Sequence, residues 1–483
     1  MSDVLEVAQL KRRTIVGAVS YFLRSSFLQV IGFVSAVFVA YFFTPEEFGI
    51  YGLVQQIIGI LIFVSDIGFA AALVQKKDEP SEHDYSTAFW VQQVLSWGIV
   101  LIASILIYFD VISQKTGPVG NWILFALAVS FPIISFKTVP SIKLERKLAF
   151  SRLVQPQIVE NLVFHGVLIY LAWNRFGAMA YTYAVLARSL SGTLFMLYLE
   201  PWVASLTFSK KSFSELFVFG AQFQLNDFLA RIKDQLFFLV LGAYLPLKEF
   251  GYIQWAKNWS MYPYNLTVST IMTITFPTFS RLQSDSKLLQ KAIEKSLFFI
   301  TLFLFPLITG MTLFIVPLLH VFHQYDKWQP AVLSFMLFAV SILWSGIASP
   351  ITNALNAIGR ITVTLKLMVM WTALTWILTP LLVYFFGFTG VAASAVLISC
   401  SSYAAVLALK QFLPDVRVLH FVWRQAVAAL GMAATGFVLF EYAASSQMHL
   451  LLSMFATSLV YCIVLAGVGR KVVLAELASL LKK

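Results

Sequence analysis

Apolar runs long enough to cross a bilayer recur from one end of this chain to the other. A hydrocarbon core of about 30 Å takes roughly twenty residues of helix. Of the 483 residues, 59% are hydrophobic and 12% charged, a balance foreign to soluble domains. The runs lack the two-residue alternation of barrel strands, and backbone groups in lipid must be satisfied within each segment, so the spans are helices. The expected fold is an all-α polytopic membrane protein of about 14 transmembrane helices. They fall at roughly 14–43, 48–73, 85–109, 118–140, 154–173, 178–199, 214–245, 250–276, 291–318, 329–356, 361–386, 388–410, 418–441 and 448–470. The first run follows Lys11, Arg12 and Arg13 and is too long for the core of a cleaved signal. Cys400 and Cys462 lie in apolar runs, read as buried thiols, and form no disulfide or metal pattern.

The formal net charge of +11 is distributed along the gaps, which gives orientation and no hint of nucleic acid. One set of gaps and both ends hold Lys76, Lys77, Lys143, Arg146, Lys147, Arg152, Lys210, Lys211, Lys287, Lys291 and most other cations. The opposite gaps hold Lys115, Arg175, Lys248 and Lys327. Both termini are therefore expected in the cytoplasm. No gap has room for a soluble domain.

An internal repeat is also legible. Glu47-Phe48-Gly49 recurs as Glu249-Phe250-Gly251, each in a short turn between the first two helices of a six-helix block. At the same offset Ser20, Arg24 and Gln29 meet Gln222, Asn226 and Arg231, and Gln55 and Gln56 meet Lys257 and Asn258. The expected organisation is an N-terminal six-helix lobe (1–203), a C-terminal six-helix lobe (204–412) and two additional helices with a tail (413–483). Parallel repeats of this kind place a binding site near the membrane midplane.

Embedded charge supplies the candidate site residues. Asp227, Arg231 and Asp234 stand at i, i+4 and i+7 inside a membrane-length run, with Lys233 beside them. A charge at mid-bilayer costs roughly 2.5–3.5 kcal/mol on insertion scales. The stretch is either an ion-pair ladder that fixes packing or the wall of a water-filled cavity. Arg24 and Arg188 face the same choice between cavity and structure. Gln254, Asn258, Met261 and Asn265 share a face, with Lys257 adjacent and Tyr262 and Tyr264 nearby, a grouping suited to sugar hydroxyls and ring faces. The alternative for it is an interfacial aromatic belt. The expected substrate-binding set is Arg24, Arg188, Asn226, Asp227, Arg231, Asp234, Gln254, Lys257 and Asn258. Asp66, Glu160, His165 and Asp227 are the candidates for proton or ion coupling, His165 equally serving as a packing residue. Lys137, near a helix end, reads as snorkelling toward the cytoplasm. No nucleophile–base constellation, metal spacing or nucleotide motif stands out, so no catalytic residue, metal or cofactor is expected.

Four stretches carry a family resemblance. They are Phe48-Gly49-Ile50-Tyr51 running on to Ser65-Asp66-Ile67-Gly68-Phe69 and Val74-Gln75-Lys76-Lys77; Lys143 through Phe150; Phe219-Gly220 with Leu241-Gly242 and Glu249-Phe250-Gly251-Tyr252; and Phe276-Pro277-Thr278-Phe279-Ser280-Arg281-Leu282-Gln283. In order and spacing the chain resembles the Wzx-type oligosaccharide flippases of the polysaccharide transporter family, in the colanic-acid-exporter-like subgroup. These belong to the superfamily that includes multidrug extruders (MATE-like) and lipid II flippases. The resemblance implies alternating access and a polyprenyl-pyrophosphate-linked oligosaccharide as cargo. It further implies the bacterial cytoplasmic (inner) membrane, with a polysaccharide polymerase or export machinery as partner. A cation-coupled drug antiporter fits less well, since its cavity would be acidic. A membrane glycan polymerase or ligase would need a large outer loop.

Overall fold

The computed structural model describes the backbone of residues 27–481 except 66, 67 and 77, and the side chains of these except 63, 64, 219, 221–234 and 470–481. Every regular element among the described residues is helical. The first helices are α1 (Phe27–Phe42), α2 (Pro45–Ser65), α3 (Phe69–Gln75), α4 (Glu82–Tyr108) and α5 (Ser113–Ser135). Next come α6 (Thr138–Arg146), α7 (Phe150–Trp173), α8 (Met179–Leu199) and α9 (Lys210–Tyr244). Then α10 (Leu247–Tyr264) passes through a widened π segment, Asn265–Ser269, into α11 (Thr270–Leu282). The remainder holds α12 (Ser286–Val321), α13 (Val332–Ala357), α14 (Ile361–Phe386), α15 (Thr389–Cys400), α16 (Tyr403–Lys410), α17 (Val418–Val438), α18 (Phe440–Ala444) and α19 (Gln447–Leu481).

Among the described residues, eight helical stretches are long and apolar enough to cross a membrane by length and composition. They are α4, α5, α12, α13 with its leading turn, α14, α15–α16, α17 and the first part of α19. The other expected spans coincide with α1, α2–α3, α7, α8, α9 and α10–α11, which carry most of the embedded polar groups. Cys400 and Cys462 are exposed, contrary to the sequence reading. An apolar run in lipid presents one face outward, so apolar surroundings in sequence do not imply burial in protein.

The chain divides into two compact units, Met1–Gly251 and Tyr252–Lys483. In the first, α1, α2, α4, α5, α7 and α8 close on a core that includes Phe43, Ile99, Ile123, Leu124 and Ala184. Helix α9 packs on α2, α3 and α4 and so belongs with this unit by contact. In the second, one core gathers Leu297, Ile351, Leu355 and Leu409, and another Ile300, Leu304, Ala339 and Ala428. Helices in lipid gain little from expelling water, so close packing carries this association.

The repeat appears in the helix ends themselves. Helix α1 ends at Phe42 and α2 starts at Pro45; at the offset that carries Gly49 onto Gly251, α9 ends at Tyr244 and α10 starts at Leu247. The two copies of the turn lie against each other. A Cβ on Gly49 would stand 2.1 Å from the Leu247 carbonyl oxygen, and one on Gly251 would stand 1.8 Å from the Pro45 carbonyl oxygen. Gly49 and Gly251 are equivalent in the repeat, as are Pro45 and Leu247. The contact is therefore reciprocal, and only residues without a Cβ allow it. Glu47 fastens the same corner. Its carboxylate accepts from Thr44 N–H at 2.7 Å, while the Thr44 hydroxyl accepts from Glu47 N–H at 3.3 Å, a capping box for α2. The other carboxylate oxygen accepts from Ala178 N–H at the start of α8, 3.2 Å away.

The opposite end of the first unit is braced by cations. Arg146 donates to the carbonyls of Leu73, Val74 and Lys76 at 2.8–3.0 Å and of Asp78 at 3.2 Å. Its guanidinium satisfies carbonyls that α3 leaves open at its C-terminus. Helix α3 itself begins where Gly68 takes φ 74°, with the Gly220 carbonyl oxygen 2.4 Å from where a Cβ would sit. Lys76 bridges Asp84 at 2.9 Å and Glu215 at 3.7 Å, and the Asp84 hydrogen bond holds its pKa above the ordinary lysine value.

Candidate functional site

Arg188 lies at the middle of α8 and is exposed. Its helix presents Tyr183, Leu190, Leu194 and Tyr198 as an exposed, largely apolar strip. Arg188 stands away from that strip, on the face of Tyr181 and Gly192, which are both buried. Its exposure is thus on a different side of α8 from that strip. The guanidinium carbon is 5.7 Å from the centre of the Phe164 ring on α7, within cation–π range. Tyr51 and His165 lie within electrostatic reach of it.

Two aromatic rings and two polar groups surround this cation. Tyr51 of α2 stacks on Tyr181 of α8, with centroids 3.6 Å apart and planes within 6°. Gln55, one turn on from Tyr51, donates from Nε2 to the phenol oxygen at 2.8 Å. His165 Nδ1 is buried with no hydrogen-bond partner among the described residues. Arginine, glutamine and histidine supply hydrogen-bond donors and a fixed positive charge, and the tyrosines supply flat apolar faces. That combination suits an anion joined to sugar rings.

Glu160 does not join this set as a free carboxylate. It is buried and paired with Lys137, which stands just beyond the end of α5. Lys137 thus turns inward to a carboxylate where the sequence suggested it would reach for the surface. A buried carboxylate without a partner costs more than the lysine gains from water. Gly192 makes room for the pair, since a Cβ there would lie 2.0 Å from a Glu160 carboxylate oxygen.

Arg24 and Asp66 lie outside the described residues. Asn226, Asp227, Arg231 and Asp234 lie on the described backbone of α9, whose helix keeps 227, 231 and 234 on one face, but their side chains are outside the described set. The next residue, Gln235, packs its amide against Gly59 of α2 and leaves Oε1 buried without a partner among the described residues. In the second unit Gln254 is buried with Nε2 unpartnered among the described residues, Lys257 is half-buried and Asn258 is exposed. Neighbouring Trp255 stacks on Trp328, centroids 5.1 Å apart, as core packing. Tyr264 shares a hydrogen bond of 2.9 Å with Ser349.

Sequence reasoning missed Tyr51 and Phe164 as companions of Arg188. The signal was faint: Gln55 falls one turn after Tyr51.

The chain is 25% identical to the lipopolysaccharide biosynthesis protein WzxC of Escherichia coli (strain K12), over 76% of this chain and 74% of that one. It is 23% identical to the succinoglycan biosynthesis transport protein ExoT of Rhizobium meliloti (strain 1021), over 58% of this chain and 56% of that one. Among solved structures it shares the fold of the lipid II flippase MurJ, with a TM-score of 0.75 at 15% identity over 95% of this chain and 100% of that one. It also matches an inward-facing multidrug resistance MATE family transporter of the MOP superfamily, with a TM-score of 0.61 at 13% identity over 81% and 96%. The sequence pattern of the family described as polysaccharide biosynthesis protein fits residues 38–333, more than half of the chain. This membrane protein belongs to that polysaccharide biosynthesis protein family.

Proposed function

We propose that the chain is a flippase. It moves a polyprenyl-pyrophosphate-linked oligosaccharide across the bacterial inner membrane by alternating access, for polysaccharide export, and makes or breaks no covalent bond. The observation that carries this reading is Arg188: a mid-span arginine on the side of α8 away from its exposed apolar strip, with stacked tyrosines, an amide and an imidazole on α8 and the neighbouring helices. A pyrophosphate in hydrocarbon needs compensating charge. Arginine stays charged when buried and grips phosphate oxygens with two parallel donors. The relatives' roles in lipopolysaccharide biosynthesis and succinoglycan transport support the cargo class.

Within this reading, Arg24, Asn226, Asp227, Arg231, Asp234, Gln254, Lys257 and Asn258 complete the substrate-binding set. Asp66, Asp227, Glu160 and His165 are the ion-coupling candidates, with Glu160 acting through its pair with Lys137. Two six-helix lobes, 1–203 and 204–412, and two further helices in 413–483 form the body. The repeated helix ends support that division. Both termini lie in the cytoplasm, as the lysine-rich gaps direct. A polysaccharide polymerase or export complex receives the product.

The test is glycan export in a strain lacking the chromosomal gene. A hydrogen bond to a charged group contributes roughly 1.5–3 kcal/mol, so Arg188→Ala is expected to lower export about ten- to hundredfold at unchanged protein level. Arg188→Lys is expected to recover part of it. Export by Arg188→Ala at the unsubstituted rate would sink the proposal.

A further inference from the structure

Helices α4, α5 and α8 enclose an apolar cavity of about 710 Å³ at the end of the first unit where the loops are rich in lysine. Phe89, Trp90 and Trp97 of α4 line it, with Pro132 of α5, Phe136 just beyond α5, and Trp202 of the segment after α8. Polar groups of this wall are turned aside and satisfied. The Trp90 indole N–H donates to the Ser205 carbonyl at 2.9 Å, the Trp202 indole N–H to Glu82 at 3.0 Å, and the Gln93 amide to the Pro132 carbonyl at 3.3 Å. Water inside would find few partners, whereas a hydrocarbon chain would find many.

Beside the Trp202 wall of the cavity the protein has the opposite character. The Lys143 ammonium lies 4.8 Å from the Tyr85 ring and 5.9 Å from the Trp202 ring, and reaches Glu82 at 2.7 Å. Lys147, more exposed, reaches Glu200 at 2.6 Å. Between α8 and α9 the chain carries Val203 and Leu206, which are 89% and 90% exposed. Apolar side chains standing clear of the protein, beside indoles that point their N–H groups outward, mark the boundary between headgroups and acyl chains. Cations at that boundary attract anionic lipid.

We propose that this cavity holds one acyl chain of an anionic phospholipid from the cytoplasmic leaflet, with its phosphate at Lys143 and Lys147. Depth selects this occupant. From Phe89 to Trp97 helix α4 rises only about 12 Å. That suits a tail confined to one leaflet of a core about 30 Å thick, and not a polyprenyl chain that must follow its cargo across. The bound lipid pins the segment joining α8 to α9 against α4. The choice of leaflet and the contrast with a polyprenyl cargo rest on the reading given under Proposed function.

The experiment is native mass spectrometry of the full chain extracted in mild detergent, followed by exchange against phosphatidylglycerol, phosphatidylethanolamine or polyprenyl phosphate. The unsubstituted protein is expected to retain one phospholipid and to prefer phosphatidylglycerol. Ala204→Trp, which fills the cavity, is expected to lower retention at least tenfold. Lys147→Gln changes an exposed side chain and keeps the fold; it is expected to erase the preference for phosphatidylglycerol, which keeps the idea testable if Ala204→Trp misfolds. Displacement of phospholipid by polyprenyl phosphate, absence of any retained lipid, or equal preference in Lys147→Gln and the unsubstituted protein would overturn the proposal. No readout here uses export, so a failure of the flippase reading and a failure of the lipid site are distinguishable.

Discussion

The reciprocal contact of Gly49 and Gly251 gives the sharpest test of the structure. Replacing Gly251 by alanine adds one methyl group, and that carbon arrives 1.8 Å from the Pro45 carbonyl oxygen. Real contacts of this kind stay beyond 3.0 Å, so the two helix starts must part. Backbone meets backbone here, and no rotamer change relieves the clash. Overpacking of a tight interior costs typically about 1–3 kcal/mol, and a backbone displacement belongs at the upper end. Alanine returns about 1 kcal/mol through helix propensity, leaving a net loss of about 2 kcal/mol. Gly98→Ala is the control, because nothing lies within 4 Å of a Cβ at that position of α4. It should be neutral or slightly stabilising. Gly49→Ala meets the Leu247 carbonyl oxygen in the same way at 2.1 Å. Once one substitution has parted the helices, the second finds the space already made. The double variant should therefore lose clearly less than the sum of the two single losses. The assay is thermal unfolding of detergent-purified protein, read by the monodisperse fraction after heating. The reasoning fails if Gly251→Ala is as stable as Gly98→Ala, or if the two single losses simply add.

Four further outcomes are expected. Lys137→Ala leaves the buried Glu160 carboxylate unpaired and should cost about 3–5 kcal/mol, while Lys137→Met combined with Glu160→Leu should recover most of it; both are read by the same unfolding assay. Gly192→Ala should reproduce much of the Lys137→Ala loss, because the added carbon occupies the place of the Glu160 side chain; a stable Gly192→Ala would contradict that packing. Arg146→Lys keeps the charge but loses the fork that serves four carbonyls, and limited proteolysis should then cut faster around residues 76–81. Cysteines introduced at Gln114 and Lys248 should react with an impermeant thiol reagent from outside, and those at Lys147 and Lys210 should not; labelling of the second pair would reverse the topology.

Much of the fold was legible because membrane helices announce themselves one at a time. Hydrocarbon demands a continuous apolar run and lysine marks its ends, so spans follow from local composition. The repeat was legible from Glu-Phe-Gly alone, and the helix ends at Phe42, Pro45, Tyr244 and Leu247 keep its offset. Partners across space were not legible. Glu160 and Lys137 sit on different elements, well separated in sequence, so each charge alone suggested a different fate. Three of the four stretches that carried the family resemblance hold packing devices: Gly68 receives the Gly220 carbonyl, Gly49 meets the turn of Gly251, and Arg146 closes α3. Arg188 was legible as a charge in the wrong place for lipid. Tyr51 beside it was not, because tyrosine is common in membrane helices and its stacking depends on how α2 and α8 cross.

The length of α12 has a consequence of its own. Its 36 residues rise about 54 Å, some 24 Å more than the hydrocarbon it must cross. The excess includes the first turns, where Lys287, Lys291 and Lys295 follow one another at four-residue spacing on one side. On the proposed orientation this row stands at the cytoplasmic surface, where anionic headgroups attract each lysine by about 1 kcal/mol. The attraction decays within roughly 8–10 Å at physiological salt, so it acts only over a narrow range of heights. The row thus works as a float: it resists pulling the helix out and, through the hydration of the ammonium groups, resists pushing it in, fixing how deep α12 rides in the membrane.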